Sequence, residues 1–320
     1  MSTSSQIIPP SVPEDENIDE LLTLTPQLAR KRRSQFRIIV DRFVRNRLAL
    51  AGFFVLVVIG MAALLAPVLY HATATFDPST YINLRESPAF QGPSWQHLLG
   101  TDDLGRDEMA RLLYGGRVSL LIGIASMFVA IFVGVTVGAL AGYFGGIIDN
   151  LLMRVTDVIL AIPLYLLLFV LSASFSDGSI PSIVVLIALF SWTYTARLVR
   201  SEFLALKERE FVMAARTLGA SNFQLMVRHI LPNAAGPIIV SATLLVGANI
   251  ITESILSFFG FGIQVPLASW GTMVNDAKDF FLPHPILVWA PGLCILLVVL
   301  SFNLMGDGLR DALDPYLTER

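Results

Sequence analysis

Six stretches of this chain are each apolar and long enough to cross a bilayer, and this constrains the fold more than any other feature. A helix rising about 1.5 Å per residue needs about 20 apolar residues to pass the hydrocarbon core. Residues 48–70 and 118–141 hold no charged side chain, and 155–174 holds only Asp157, near one end. Residues 180–199 run into Arg197 and Arg200, 234–256 carry Glu253, and 286–305 are again uncharged. The expected fold class is therefore an all-α integral membrane protein with six transmembrane helices. Composition agrees: 15% of the 320 residues are charged, against about 25% in an ordinary soluble domain.

Basic residues set the orientation. With six spans both termini share a side, and that side carries 17 of the 22 Lys and Arg residues. The N- and C-termini and the segment 201–233 are therefore expected in the cytoplasm, within a multi-pass protein of the cell (inner) membrane. The chain divides into a polar, disordered cytoplasmic tail (1–29), a basic interfacial segment (30–47), a first transmembrane helix (48–70) and an extracytoplasmic loop (71–117). A five-helix core (118–315) with the cytoplasmic loop 201–233 and a short C-terminal tail (316–320) follow. In the interfacial segment Phe36, Ile39, Val40 and Phe43 recur at helical spacing among eight basic residues, which suits a helix lying in the headgroup region.

Several chemistries are excluded. No G-x-x-x-x-G-K-[ST] loop is present, so any ATP must be bound by another subunit. A single cysteine, Cys294, rules out a disulfide framework within the chain. The four histidines are scattered, with no metal-ligand spacing, and no G-x-S-x-G elbow supports a nucleophile. No metal, no bound cofactor, no nucleic-acid partner and no catalytic activity are expected of this chain itself. The acidic turn GTDDLGRDE (Gly100–Glu108) does not match a calcium loop; it reads as a turn and helix start at the outer end of the second span.

Within the spans, Gly134, Gly138 and Gly142 repeat every four residues and give one face where a neighbouring helix can approach closely. The neighbour can belong to this chain or to a partner. Asn249, Glu253 and Ser257 share a face of the fifth span. They are candidate pore-lining residues, because an intramembrane carboxyl usually faces a bundle interior or a water-filled path. The other reading has Glu253 near the outer end of its span, reaching water. Arg154 and Asp157, three apart, are expected to pair locally, and Pro163 and Pro237 are candidate kink positions.

Between the fourth and fifth spans lies EFVMAARTLGASNFQLMVRHILPN (Glu210–Asn233), polar and ordered-looking in an otherwise oily chain. Ala214 and Ala215 are small, Gly219 permits a turn, and Phe223, Met226, Val227 and Ile230 recur at three and four. Two short helices with a bend near Gly219 are expected. They form either a docking element for a partner or an amphipathic connector on the membrane.

This stretch resembles the cytoplasmic "EAA" loop of ABC-transporter permeases, E-A-A-x3-G-x9-I-x-L-P. Ala214, Ala215, Gly219, Leu231 and Pro232 fall on the pattern, with Ala220 beside the glycine; Met213 stands in place of the usual Glu and His229 in place of Ile. His97–Leu120, Ala141–Arg154, Glu253–Met273 and Phe302–Pro315 resemble, in the same order, the C-type permease subunit of dipeptide, oligopeptide and nickel importers. The resemblance implies a type I ABC importer permease fold, a second homologous permease subunit, two cytoplasmic ATP-binding subunits, and an extracytoplasmic substrate-binding protein. The loop would then be the ATPase-coupling element, and di- or oligopeptides the leading substrates, with nickel or other small solutes the alternative. A self-contained channel or secondary transporter is the competing class; it would need midplane ion-coupling residues on broken, repeated helices, and no internal repeat is evident.

Overall fold

The computed structural model describes residues 35–69 and 89–313. The tails 1–29 and 316–320 and residues 71–88 of the first outer loop lie outside the described residues. Two helices open the described chain, α1 (Gln35–Arg45) and α2 (Arg47–Leu69). Asn46 separates them; its Oδ1 accepts the Ala49 amide at 3.2 Å and starts the second. Then follow α3 (Glu108–Phe144), α4 (Gly146–Ala161), α5 (Leu164–Phe175), α6 (Ile180–Leu206) and α7 (Glu210–Thr217). A helical run over Asn222–Asn233 leads into α8 (Ala235–Phe258), then α9 (Trp270–Ala277) and α10 (Ile286–Leu313). No strand occurs among the described residues.

Helices α2, α3, α6, α8 and α10 are each long and apolar enough to cross a membrane. The third expected span, 155–174, is not one straight helix: α4 and α5 meet at an angle of 87°. Pro163 causes the break, because it lacks an amide hydrogen and pushes the residue before it out of the helical region. Ile162 accordingly sits at φ −85° and ψ 135°. Pro237 does no such thing, since it falls in the first turn of α8, where its missing donor costs no bond. A second correction concerns α3, which begins at Glu108 and so takes in the last ten residues assigned above to the outer loop. Asp107 caps it, Oδ1 accepting the Ala110 amide at 2.7 Å.

The glycine face of α3 packs against α6 of the same chain. A Cβ at Gly138 would lie 2.5 Å from the Ala196 carbonyl oxygen, and one at Gly142 2.7 Å from that of Arg200. At Gly134 it would lie 2.7 Å from the Thr195 Cβ. All three glycines therefore allow backbone contact that no larger residue fits. The same device recurs where α10 meets α2, with Gly308 against Ala49.

Apolar clusters hold the bundle at both ends. Val118, Ile122, Leu168, Ile183 and Leu256 form one, near the outer ends of α3 and α8. At the opposite end Tyr143, Val199 and Phe203 pack with Val212, Leu225 and Ile230 of the segment between α6 and α8. That segment is thereby fused to the bundle rather than hung from it.

Candidate functional site

The segment Glu210–Asn233 is built as two helical pieces around a left-handed glycine. Thr217 ends α7, and Gly219 follows at φ +86°. The Ala220 amide donates to the Ala215 carbonyl and the Gly219 amide to that of Arg216, at 3.1 and 3.0 Å. This paired closure satisfies the last carbonyls of the helix and requires positive φ at the glycine. Ser221 then caps the next piece: its Oγ accepts the Gln224 amide, and the Gln224 side chain accepts the Ser221 amide at 2.9 Å. The Tyr143 hydroxyl, at the end of α3, meets Asn222 Oδ1 at 2.7 Å and ties the turn to the bundle.

Residues Leu225–Ile230 form a π-helical turn, one residue wider than α-helix. Such turns shift the register of the faces beyond them. Here Leu225 and Ile230 both point into the inner cluster, whereas Phe223 and Val227 point outward. Pro232 sits in the short helical piece Leu231–Asn233, which runs on into α8. Of the residues singled out from the sequence, Ala215, Ala220 and Leu231 pack against the inner cluster, while Ala214, Gly219 and Pro232 are exposed.

The outer surface of this element carries large apolar side chains among polar ones such as Arg216, Gln224 and Arg228. Leu218 is 88% exposed and Phe223 69%, and Phe211, Met213 and Val227 are also exposed. Exposed large apolar side chains on a well-capped element mark a surface that another protein or the membrane covers. Helical spacing in the sequence had marked Phe223 and Val227, but not Phe211 or Leu218.

Asn249, Glu253 and Ser257 do share a face of α8, but that face is turned into the chain's own core. Glu253 is 0% exposed. Ser119 of α3 donates to its Oε2 at 3.0 Å and Ser257 to its Oε1 at 2.7 Å. The Ser119 oxygen accepts the Trp270 amide of α9, and the Ser257 oxygen accepts the Ile263 amide. The carboxyl thus joins α3, α8, the 259–269 turn and α9. Both readings offered by the sequence are corrected: Glu253 neither lines an open path nor reaches outer water. The reason is the chain after α8, which folds back over it.

A second polar constellation sits at the outer end of α3. Arg111 donates to Asp102 and to Asp276 of α9, each at 2.7 Å, and Arg106 donates to Asp102 at 2.5 Å. His97 Nδ1 lies 2.8 Å from Asp107. Burial pushes the Asp103 carboxyl above its ordinary range, and neighbouring Asp102 adds to that. The GTDDLGRDE turn is therefore a clamp between the outer loop, α3 and α9, in keeping with a helix start; nothing in the sequence pointed to Asp276 as its distant partner.

On α4 and α6 the pairing also differs from the local one expected. Asp157 is bound by Arg197 at 2.5 Å rather than by Arg154, and Arg200 holds Asp149 with two bonds of 2.5 and 2.6 Å. A cavity of about 800 Å³ opens between α6, α8 and α10, lined among others by Tyr194, Leu198, Glu202, Val240, Ser241 and Arg310.

Comparisons with known proteins place this geometry in context. A family model described as "binding-protein-dependent transport system inner membrane component" matches residues 134–319. A second, "N-terminal TM domain of oligopeptide transport permease C", matches residues 34–93. A dipeptide transport system permease protein of Alkalihalophilus pseudofirmus is 40% identical over 88% of this chain and 90% of its own length. An oligopeptide transport system permease protein of Escherichia coli is 39% identical over 94% and 97%. A glutathione transport system permease protein of Shigella flexneri is 44% identical over 86% and 88%. Among solved structures, the inward-facing MetNI methionine ABC transporter covers 64% of this chain and 98% of its own with a TM-score of 0.53. At 19% identity that likeness speaks for the fold alone.

Proposed function

The chain belongs to the family of binding-protein-dependent transport system inner membrane components, and on that premise we propose that it is the half-pore of an ATP-driven importer of short peptides. It is a multi-pass permease subunit of the inner membrane and not an enzyme. Short peptides are the chemistry common to the dipeptide, oligopeptide and glutathione systems named by its relatives. The proposed assembly adds a second homologous permease, two cytoplasmic ATP-binding subunits and an extracytoplasmic binding protein.

One observation carries the mechanism: the exposed apolar patch of Phe211, Met213, Leu218, Phe223 and Val227 stands on an element fused to the ends of α3 and α6. A partner that grips this patch and moves with ATP binding would move the bundle with it, because Val212, Leu225 and Ile230 are packed between Tyr143, Val199 and Phe203. Mechanism here means gating: the ATPases do the chemistry, and this chain converts their closure into opening and closing of the route. Ala214 and Ala215 keep one side of α7 low, and Gly219 and Ala220 close its end, so the large side chains protrude. Leu231 and Pro232 join the element to α8.

The test is uptake of a radiolabelled dipeptide such as dialanine by energised cells carrying or lacking this chain. The reading expects uptake to require the chain and ATP. Dipeptide uptake unaffected by deletion, with loss of nickel uptake instead, would reassign the substrate; uptake insensitive to ATP depletion would remove the importer class.

A further inference from the structure

The short helix α1 stands at the foot of the first span and is only half covered by the chain. Its level follows from α2, whose apolar stretch is Arg47–Val68. These 22 residues rise about 33 Å, little more than a hydrocarbon core of about 30 Å. Arg47 therefore stands at one boundary of that core, and α1, which ends at Arg45, lies at the level of the headgroups. The boundary is on the side of the Glu210–Asn233 segment. Helix α1 packs against the end of α10, and at that same end Leu313 lies 3.8 Å from where a Cβ at Gly236, at the start of α8, would be.

The chain turns at Asn46 rather than running straight on. A straight helix would carry Phe43 about 9 Å past Ala49 along its axis. Instead both meet one residue of α10: a Cβ at Gly308 would touch that of Ala49 and lie 3.5 Å from the Phe43 ring. This contact fixes the rotation of α1. At about 100° per residue, Ile39 falls beside Phe43 on the side of α10, and both are half-buried. Val40 and Val44 lie about 60° and 100° round from Phe43, and are 40% and 52% exposed. Arg37 and Arg45 follow at about 120° and 200°; both are exposed, as is Arg47 at the start of α2. Among the described residues these three arginines form no ion pair. The one acid between Gln35 and Arg47 is Asp41, and on α10 the exposed Asp307 and Asp311 stand either side of Arg310. With Arg42 also on α1, the corner stays positive.

An apolar pair beside a row of arginines, at the boundary of the core, fits one occupant: a leaflet that carries anionic headgroups. The planar guanidinium matches phosphate oxygens two bonds at a time. We propose that α1 and the first turn of α2 form a binding surface for anionic phospholipid. Val40 and Val44 enter the acyl boundary, and Arg37, Arg45 and Arg47 hold headgroup phosphates. Helical spacing in the sequence suits a helix in the headgroup region; the packing on Gly308 shows which part of its apolar arc the protein takes and which part is left for lipid. The arginines decide between lipids, because a zwitterionic lipid satisfies the valines but returns no net attraction. Each arginine near an anionic leaflet favours it by about fivefold. The inference rests on the membrane spans and not on the peptide reading above.

The test uses the complete transporter, freed of other cysteines by changes that include Cys294→Ala, with Val44→Cys carrying an apolar fluorophore. It is placed in phosphatidylcholine nanodiscs that contain a minor fraction of brominated phosphatidylglycerol or of brominated phosphatidylcholine, whose bromines quench the fluorophore on contact. The proposal expects half-maximal quenching at about fivefold lower content of the brominated phosphatidylglycerol, or lower still. In the Arg37→Gln/Arg45→Gln/Arg47→Gln variant both lipids are expected to quench alike, with Tm unchanged. Equal quenching by the two lipids in the parent overturns the headgroup role. No quenching by either places α1 in water or under another subunit and overturns the whole proposal, and a preference that survives in the triple variant removes these arginines from it. Should the triple variant fail to fold, the parent at raised salt takes its place. Salt is expected to abolish the preference, and a preference indifferent to salt overturns the proposal.

Discussion

Replacing Gly219 separates two reasons for a glycine in the proposed coupling element. Its φ of +86° belongs to the left-handed region, where a side chain costs an L-residue roughly 1–2 kcal/mol. Asparagine and aspartate tolerate that region better than other non-glycine residues, and β-branched residues tolerate it least. A Cβ at this position meets no atom of the chain within 4 Å, so no steric cost is added inside the subunit. Gly219→Val should therefore cost about 2 kcal/mol, confined to the turn that closes α7, which leaves that turn formed in about thirtyfold fewer molecules relative to its open form. Gly219→Asn should cost less than half as much. The assay is binding-protein-stimulated ATP hydrolysis by the complete transporter in nanodiscs, with thermal unfolding of the permease followed in parallel. Gly219→Val is expected to lose most of the stimulation without a shift in Tm, and Gly219→Asn to keep most of it. Equal loss in both variants would mean that the glycine matters for the space it leaves to the partner, and the turn argument would be refuted. Full activity of Gly219→Val would remove both.

Three further perturbations probe the scaffold around that element. Glu253→Ala leaves the Ser119 and Ser257 hydroxyls without their carboxyl partner in a sealed core, and should destabilise the subunit by about 1–3 kcal/mol; an unchanged Tm with selective loss of transport would restore the pore-lining reading. Gly138→Ala sets a methyl 2.5 Å from the Ala196 carbonyl oxygen, and should lower stability by about 1–3 kcal/mol through forced separation of α3 and α6; a normal Tm would show that the seam is looser than described. Arg111→Ala removes a buried partner of both Asp102 and Asp276, and should cost about 3–5 kcal/mol, read as a lowered Tm and as faster proteolysis of the outer loop. Protection from protease equal to the parent's would argue against the clamp.

Five of the six expected spans were legible because each rests on a local property, a run of apolar residues. So did the bend near Gly219, since glycine and small residues punctuate a helical pattern wherever they fall. Most of what was not legible depended on distant chain. Pro163 was noticed, yet hydropathy alone continued the span across it, because apolarity does not register a missing amide hydrogen. The helix start in the GTDDLGRDE turn was legible, but its unbroken run into the span was not, because charged residues such as Arg111 looked like loop until Asp102 and Asp276 were seen to neutralise it. Glu253 was read from its own helix, and the residues that seal it, Ser119 and Trp270, lie 134 residues before it in one case and beyond the following turn in the other. The pairing of Asp157 with Arg197 spans 40 residues and competes with a nearer arginine, so spacing favoured the wrong partner. In the Glu210–Asn233 element the family pattern lies on small residues and the helical spacing on Phe223, while Leu218, the most exposed apolar side chain there, belongs to neither.

The central claim is that the Glu210–Asn233 element is where an ATPase grips this permease. Its most direct test is a mild-detergent pull-down of the full chain from its native membranes, parent beside a Leu218→Glu/Phe223→Glu variant, with every co-purifying protein identified. Both side chains are exposed, so the charges should leave the bundle folded. The account predicts that a P-loop ATPase and a second permease accompany the parent, and that the variant keeps the second permease and loses the ATPase. An ATPase that stays bound to the variant, or one that never accompanies the parent under conditions that preserve other such complexes, would contradict it.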